Sequence, residues 1–271
     1  MQNNFASSTI SKSTIAESTL SESADSAMLP AALRFWRPRH GLIAAAILLF
    51  VGVLAFAIWR PIQVLPRMGA APTFAFQDQD GQELTSSDLR GQFVLYNFAY
   101  TSCETPCQQM GAAMQQMQQR LQEVDTGGIP IQFVTISFDP ARDTPAQLRA
   151  YATGLGADLR NWHFVTGAPD QLKSVIGGGF GVYYAPTTEA KNNAATDNAA
   201  TGNAINADFD FKPTFALVDG LGILRAQYRT ATPDMDIVAR DIDLLATEVR
   251  NSQGAARYAY ETAHLFLCFP K

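Results

Sequence analysis

Polar and apolar positions divide the chain into a polar leader, one long apolar run, and a region where strand and helix patterns alternate. Residues 1–40 are rich in Ser and Thr and have no apolar periodicity, so they read as disordered. Gly41 to Trp59 is nineteen residues without a charge, and at 1.5 Å per residue a helix of that length spans a ~30 Å hydrocarbon core. From residue 72 the signals change. Pro72 to Leu84 reads as a β-hairpin turning at Asp80-Gly81. Phe93 to Ala99 and Ile129 to Phe138 are continuous apolar runs of strand length, the pattern of strands covered on both faces. Gln108 to Val124 carries apolar residues at helical spacing. Thr144, Pro145 and Gln147 form a capping-box pattern for a helix to about Leu155. A strand at Trp162 to Gly167, a short helix at Pro169 to Ile176, and a hairpin of Lys212 to Asp219 with Ile223 to Arg229 follow. Met235, Val238, Ile242, Leu245 and Val249 mark a last helix over Asp234 to Val249. The alternation predicts an α/β sheet with right-handed crossovers.

Between these patterned regions the chain divides further. Residues 60–71, with Pro61 and Pro66, read as a short stiff tether, and the globular domain as 72–250. Residues 185–209, rich in Ala, Asn, Thr and Asp, read as a solvated loop, and 251–271 as a C-terminal tail. Trp36 and Trp59 bracket the apolar run, as interfacial anchors do, and His40 belongs to the same interface. Arg34, Arg37 and Arg39 precede it, against Arg60 and Arg67 after it. By the positive-inside rule the N-terminus is cytoplasmic, the anchor single-pass, and the C-terminal domain periplasmic or otherwise extracytoplasmic. The rival reading is a signal peptide cleaved near Ala55-Phe-Ala57; the long leader and full-length apolar run favour an uncleaved anchor. A formal net charge of -5, with no basic run after Arg67, argues against a nucleic-acid partner.

Chemistry concentrates in one place. Two of the three cysteines, Cys103 and Cys107, follow the strand Phe93 to Ala99 directly and stand where the next helix begins. Unpaired N–H groups and the positive end of the helix dipole favour thiolate there, while Glu104 opposes a second negative charge. Thr105 as N-cap and Pro106 at the first helical position place Cys103 exposed on the loop and Cys107 inside the first turn. In an exported domain the pair is expected as a disulfide when not actively reduced. Met110, Met114 and Met117 share a helical face that Leu121 continues, which reads as core packing rather than a metal relay. His163, in a strand beside Trp162, reads as structural. Asp139, Arg142 and Asp143 read as loop and cap residues rather than a hard-metal site. His264 and Cys268 are four apart in the tail; packing of an apolar terminal segment is preferred to a substitute ligand pair.

The chain from about 72 to 250 resembles the Sco/SenC family of membrane-anchored thioredoxin-fold proteins. The resemblance rests on Asp78-Gln-Asp-Gly81, Asn97 to Cys107, Ile136 to Pro145, Trp162 to Gly167, Gly181-Val-Tyr-Tyr184 and Phe215 to Asp219, in that order and spacing. It implies a thioredoxin-like α/β fold with an N-terminal β-hairpin, preceded by a single transmembrane helix. It also implies a copper chaperone or thiol–disulfide reductase that matures the copper centre of cytochrome c oxidase, whose partner is an oxidase subunit or another extracytoplasmic thiol protein. In such proteins two cysteines and a distant histidine hold copper. Cys103 and Cys107 match the cysteines, and their soft thiolates suit Cu(I) or a disulfide. The histidine does not carry over: where the family has an Asp-His pair, this chain has Asp210-Phe211. Pro213-Thr214 in turn resembles the cis-proline loop of thioredoxin-like reductases, which implies a cis bond at Pro213 beside the cysteines. A general thiol–disulfide oxidoreductase that binds no copper, with Cys103 attacking and Cys107 resolving, is the alternative reading, and a binding module with an inert disulfide is a third.

Overall fold

The computed structural model describes residues 38–59, 63–187, 209–252, 254 and 256–266. The chain forms two compact units, 1–59 and 60–271. In the first, helix α1 runs Pro38–Trp59, 22 residues with no acidic residue in its first turn and no basic one in its last. Side chains are described only at 40–52, 54 and 55, and Leu42, Leu48, Leu49 and Phe50 among them are exposed. Among the described residues no helix is long and apolar enough to cross a membrane.

The second unit is built on an eight-stranded mixed sheet. Its strands are β1 (Gly69–Ala70), β2 (Ala75–Asp78), β3 (Glu83–Thr85), β4 (Phe93–Ala99), β5 (Ile131–Ser137), β6 (Trp162–Thr166), β9 (Phe215–Val218) and β10 (Ile223–Tyr228). Their order is β1-β10-β9-β4-β5-β6-β2-β3. The pairs β4·β5 and β5·β6 are parallel, while β9 runs antiparallel to both β4 and β10. The two long apolar runs therefore occupy the centre, where a strand has no solvent face, and every residue of β4 is buried. The hairpin β2–β3 turns where expected: Asp78 accepts from the amides of Asp80 and Gln82, both at 2.8 Å, and Gly81 takes φ +75°.

Alternation along β4 feeds two cores. Phe93 and Leu95 face helices α2 (Thr105–Arg120), α3 (Pro145–Leu155) and α5 (Met235–Asn251). Met110, Met114, Met117 and Leu121 pack there at 5% exposure or less, so the methionine stripe is core. Val94, Tyr96 and Phe98 face the other way, toward Phe74 and Phe76 of the hairpin. The short helix α4 (Pro169–Leu172), its π-turn extension Lys173–Gly179, and Phe180 and Val182 close that side. A separate two-stranded ribbon, β7 (Tyr184–Pro186) with β8 (Phe209–Phe211), covers the rest of it.

Three boundaries differ from the expected ones. The stretch expected as a tether contributes Val64 and Leu65 to the core and β1 to the sheet, because its apolar side chains find a surface beside β10; residues 60–62 lie outside the described part. The ends of the expected loop 185–209 pair with each other as β7 and β8, and 188–208 lie outside the described residues. The tail forms helix α6 (Ala256–Phe266), with Ala263 buried, while Cys268 lies outside the described residues.

Candidate functional site

Strand β4 ends in the buried centre of the sheet and hands the chain to a tight turn. The Cys103 amide donates to the Tyr100 carbonyl at 3.2 Å, and α2 begins at Thr105. Glu104 is the N-cap residue, without a side-chain bond, so the helix starts one residue earlier than its sequence signals imply and Pro106 sits in its first turn. Cys103 and Cys107 are joined as a disulfide with Cα atoms 5.7 Å apart.

Cys103 was expected to be exposed, but it is only 8% accessible, and Cys107 is fully buried. The β7–β8 ribbon lies against the same core. Phe209 and Phe211 alternate with exposed Asp210 and turn inward, packing against the core that contains both cysteines. Around the turn, Phe138 lies 5.2 Å from the Tyr100 and Phe211 rings, 5.3 Å from Phe209 and 4.9 Å from Tyr184. The Phe209 amide donates to the Tyr100 hydroxyl at 3.4 Å, tying the ribbon to the residue that starts the turn.

Below the turn sits Asp143, fully buried. Its carboxylate accepts from the Thr101 amide at 2.9 Å, from the Thr101 hydroxyl, and from the Ser137 hydroxyl. Read from sequence as a loop residue, it joins the end of β5 to the cysteine turn. Beside it, Arg142 donates to Asp139 and lies 5.5 Å from the Tyr100 ring centroid. Burial raises the Asp139 pKa against the lowering influence of Arg142.

Pro213 lies at the same end of the sheet as the cysteines, because Phe215 pairs with Asn97 two residues before β4 ends. The cis bond expected there is absent, as no described peptide bond is cis. The Lys212 amide donates to the Tyr183 carbonyl at 3.1 Å, just past the end of the ribbon. His163 is half-buried on β6, and burial lowers its pKa. His264 is bound to Glu248 at 2.9 Å, and Glu248 to Arg225 at 2.6 Å. The neighbouring Leu224 pairs through Val218 to Val94, the opposite end of β4 from the cysteines, about 17 Å away at strand rise. The tail histidine therefore belongs to a structural cluster rather than to the cysteine pair.

Copper suits the two sulfurs once they are reduced, since soft thiolates select Cu(I). Among the described residues nothing completes a three-ligand set. The aromatic side chains of Tyr100, Phe138, Phe209 and Phe211 pack in or against the core that holds the cysteines, and no group of three His, Cys, Asp or Glu that could hold a metal occurs among the described residues. As they stand, the described side chains fit a dithiol–disulfide centre better than a three-coordinate metal site.

Comparison with known proteins points to one family. The SCO1/SenC family model matches residues 66–243. The "SCO1 protein homolog" of Bacillus subtilis is 36% identical over 94 residues, 35% of this chain and 47% of that protein. A "Putative copper-binding protein" of Stutzerimonas stutzeri is 28% identical over 138 residues, 49% of this chain and 62% of that one. The chain thus spans about half the length of the curated relatives it matches. Among solved structures, BsSco shares the fold at TM-score 0.53 and 24% identity, over 69% of this chain and 98% of its own; it is described as a member of the Sco family of cytochrome c oxidase assembly proteins with a disulfide switch.

Proposed function

The chain belongs to the SCO1/SenC family, and on that premise we propose that it is a membrane-anchored thiol–disulfide reductase serving assembly of the copper centre of cytochrome c oxidase. One observation carries the reading: Cys103 and Cys107 form a disulfide at the start of α2, and Cys103 is the more accessible of the two. In the dithiol form, the Cys103 thiolate attacks a client disulfide, releasing one client thiolate and forming a mixed disulfide. Cys107 then attacks the Cys103 sulfur and releases the second client thiolate. Two electrons pass to the client, both client sulfurs take up protons lost by the cysteines, and a dithiol donor must regenerate the pair.

The anchor is the apolar run 41–59, with the N-terminus cytoplasmic and the domain extracytoplasmic; the uncharged stretch and the preceding arginines support it. A second reading, Cu(I) delivery by the same two thiolates, is supported by the copper-binding relative. A full-chain Cys107→Ser variant offered a peptide with one disulfide should accumulate the mixed disulfide, whereas the wild-type dithiol form should leave a reduced peptide. Absence of both products would refute the exchange reading. Stoichiometric Cu(I) uptake by the reduced chain, lost when either cysteine becomes serine, would favour delivery.

A further inference from the structure

We propose that Asp143 is a positioning residue for the cysteine pair, holding the turn in the geometry that favours the disulfide over the dithiol. The inference rests on the thiol-exchange reading of Cys103 and Cys107. Asp143 is fully buried, and its three donors, the Thr101 amide, the Thr101 hydroxyl and the Ser137 hydroxyl, are all neutral. Accepting from all three is what an ionised carboxylate can do and a neutral amide cannot. Ser137 in turn accepts from the Asp139 amide at 3.2 Å, and the Asp143 amide donates to the Asp139 carbonyl at 2.9 Å. The carboxylate is therefore seated in a closed loop of bonds, while its two bonds to Thr101 reach the segment two residues before Cys103.

Fixing that segment restricts the turn in both redox states, but only the disulfide needs the two sulfurs together. Loosening it lowers the effective concentration of one thiol beside the other and makes the disulfide easier to reduce. Removing the buried negative charge acts in the same direction, because it lowers the cost of thiolate in the reduced protein. The carboxylate's bonds end on Thr101 and Ser137, so its geometric hold on the cysteine turn passes through Thr101.

The test equilibrates the full chain in detergent with glutathione buffers and counts free thiols by alkylation. In each reduction the protein S–S bond breaks, a glutathione S–S bond forms, and two electrons and two protons pass from two glutathione thiols to the cysteines. Asp143→Asn should shift the half-reduced point about tenfold toward easier reduction, the order expected for one hydrogen bond to a charged group, equivalent to ~30 mV for a two-electron couple. Thr101→Val, which removes one hydroxyl and keeps the shape, should shift it in the same direction by less, and carries the test if Asp143→Asn does not fold. The oxidised form of each variant should lose more thermal stability than the reduced form. Equal losses in both forms with an unmoved half-reduced point would assign Asp143 a merely structural role and overturn the proposal. A wild-type pair that stays oxidised at every glutathione ratio would refute the exchange reading itself, and this inference with it.

Discussion

The guanidinium of Arg225 donates to Glu248 at 2.6 Å, joining β10 to α5 in a bond buried at both ends. The same arginine reaches Asp219 at 2.8 Å and the carbonyls of Leu65 and Pro66 at 2.9 and 3.2 Å. Glu248 also takes His264 of α6, and Arg67 stands 3.6 Å away. One buried carboxylate thus links the entering chain, strand β10 and both C-terminal helices.

Glu248→Ala should cost about 3 kcal/mol of unfolding stability, because it leaves part of a buried guanidinium without its counter-charge. Glu261→Ala, which removes only the exposed pair with Arg67, should cost under about 1 kcal/mol. Urea unfolding of the two variants checks the contrast; equal losses would show that burial does not set the strength of this cluster.

Acid should expose the same carboxylate. Burial, the largest influence on Glu248, pushes its pKa up from 4.5, but the bonds and charge of Arg225, with His264, outweigh it and hold the group below that value. A lowered folded pKa gives stability that is present above the unfolded value and is lost as pH falls through the folded one. Wild type should therefore lose its stability advantage over Glu248→Gln between pH 5 and the lower folded pKa, read from unfolding midpoints at stepped pH. An advantage that persisted at the acid end would contradict the ion-pair account.

Periodicity made the central strands and the main helices legible because β4 and β5 are covered on both faces and α2 shows a single apolar stripe. It missed what depends on distant partners. Strands β7 and β8 are three residues each and separated by residues 187–208, so no local pattern announces that they pair. The burial of Asp143 is hidden by its place before a good helix cap, Thr144, whose side chain does accept from the Gln147 amide. Arg225 looks like a surface residue of a hairpin until Glu248, on a helix 23 positions later, arrives beside it. The proline reading failed for a different reason: it came from resemblance, and nothing in Lys212-Pro213 itself distinguishes the two bond isomers.

Met114→Ala should destabilise the domain by about 2–5 kcal/mol, as a fully buried side chain packed in the α2–α5 core leaves a cavity when truncated. Its glutathione half-reduced point should match wild type, since the methionine faces the other core from the disulfide. A shifted half-reduced point with little loss of stability would put the thioether stripe back among the functional residues.

Phe211→His tests the missing ligand directly. Position 211 turns inward from β8 and packs against the same core as Cys103 and Cys107, with its ring 6.2 Å from Tyr100, three residues before Cys103. A phenyl ring has no lone pair to offer there, so the reduced pair is left with two soft ligands, whereas an imidazole brings a nitrogen that suits copper. The substitution should tighten Cu(I) binding by at least tenfold, about 1.4 kcal/mol, measured against a chromophoric Cu(I) chelator with the reduced chain under anaerobic conditions. The ring is only partly buried and sits on a short ribbon, so the domain should remain folded by circular dichroism. Unchanged affinity in a folded Phe211→His protein would mean that position 211 does not reach the sulfurs. The correspondence between Asp210-Phe211 and the family's Asp-His pair would then fail, although the disulfide chemistry of Cys103 and Cys107 would stand.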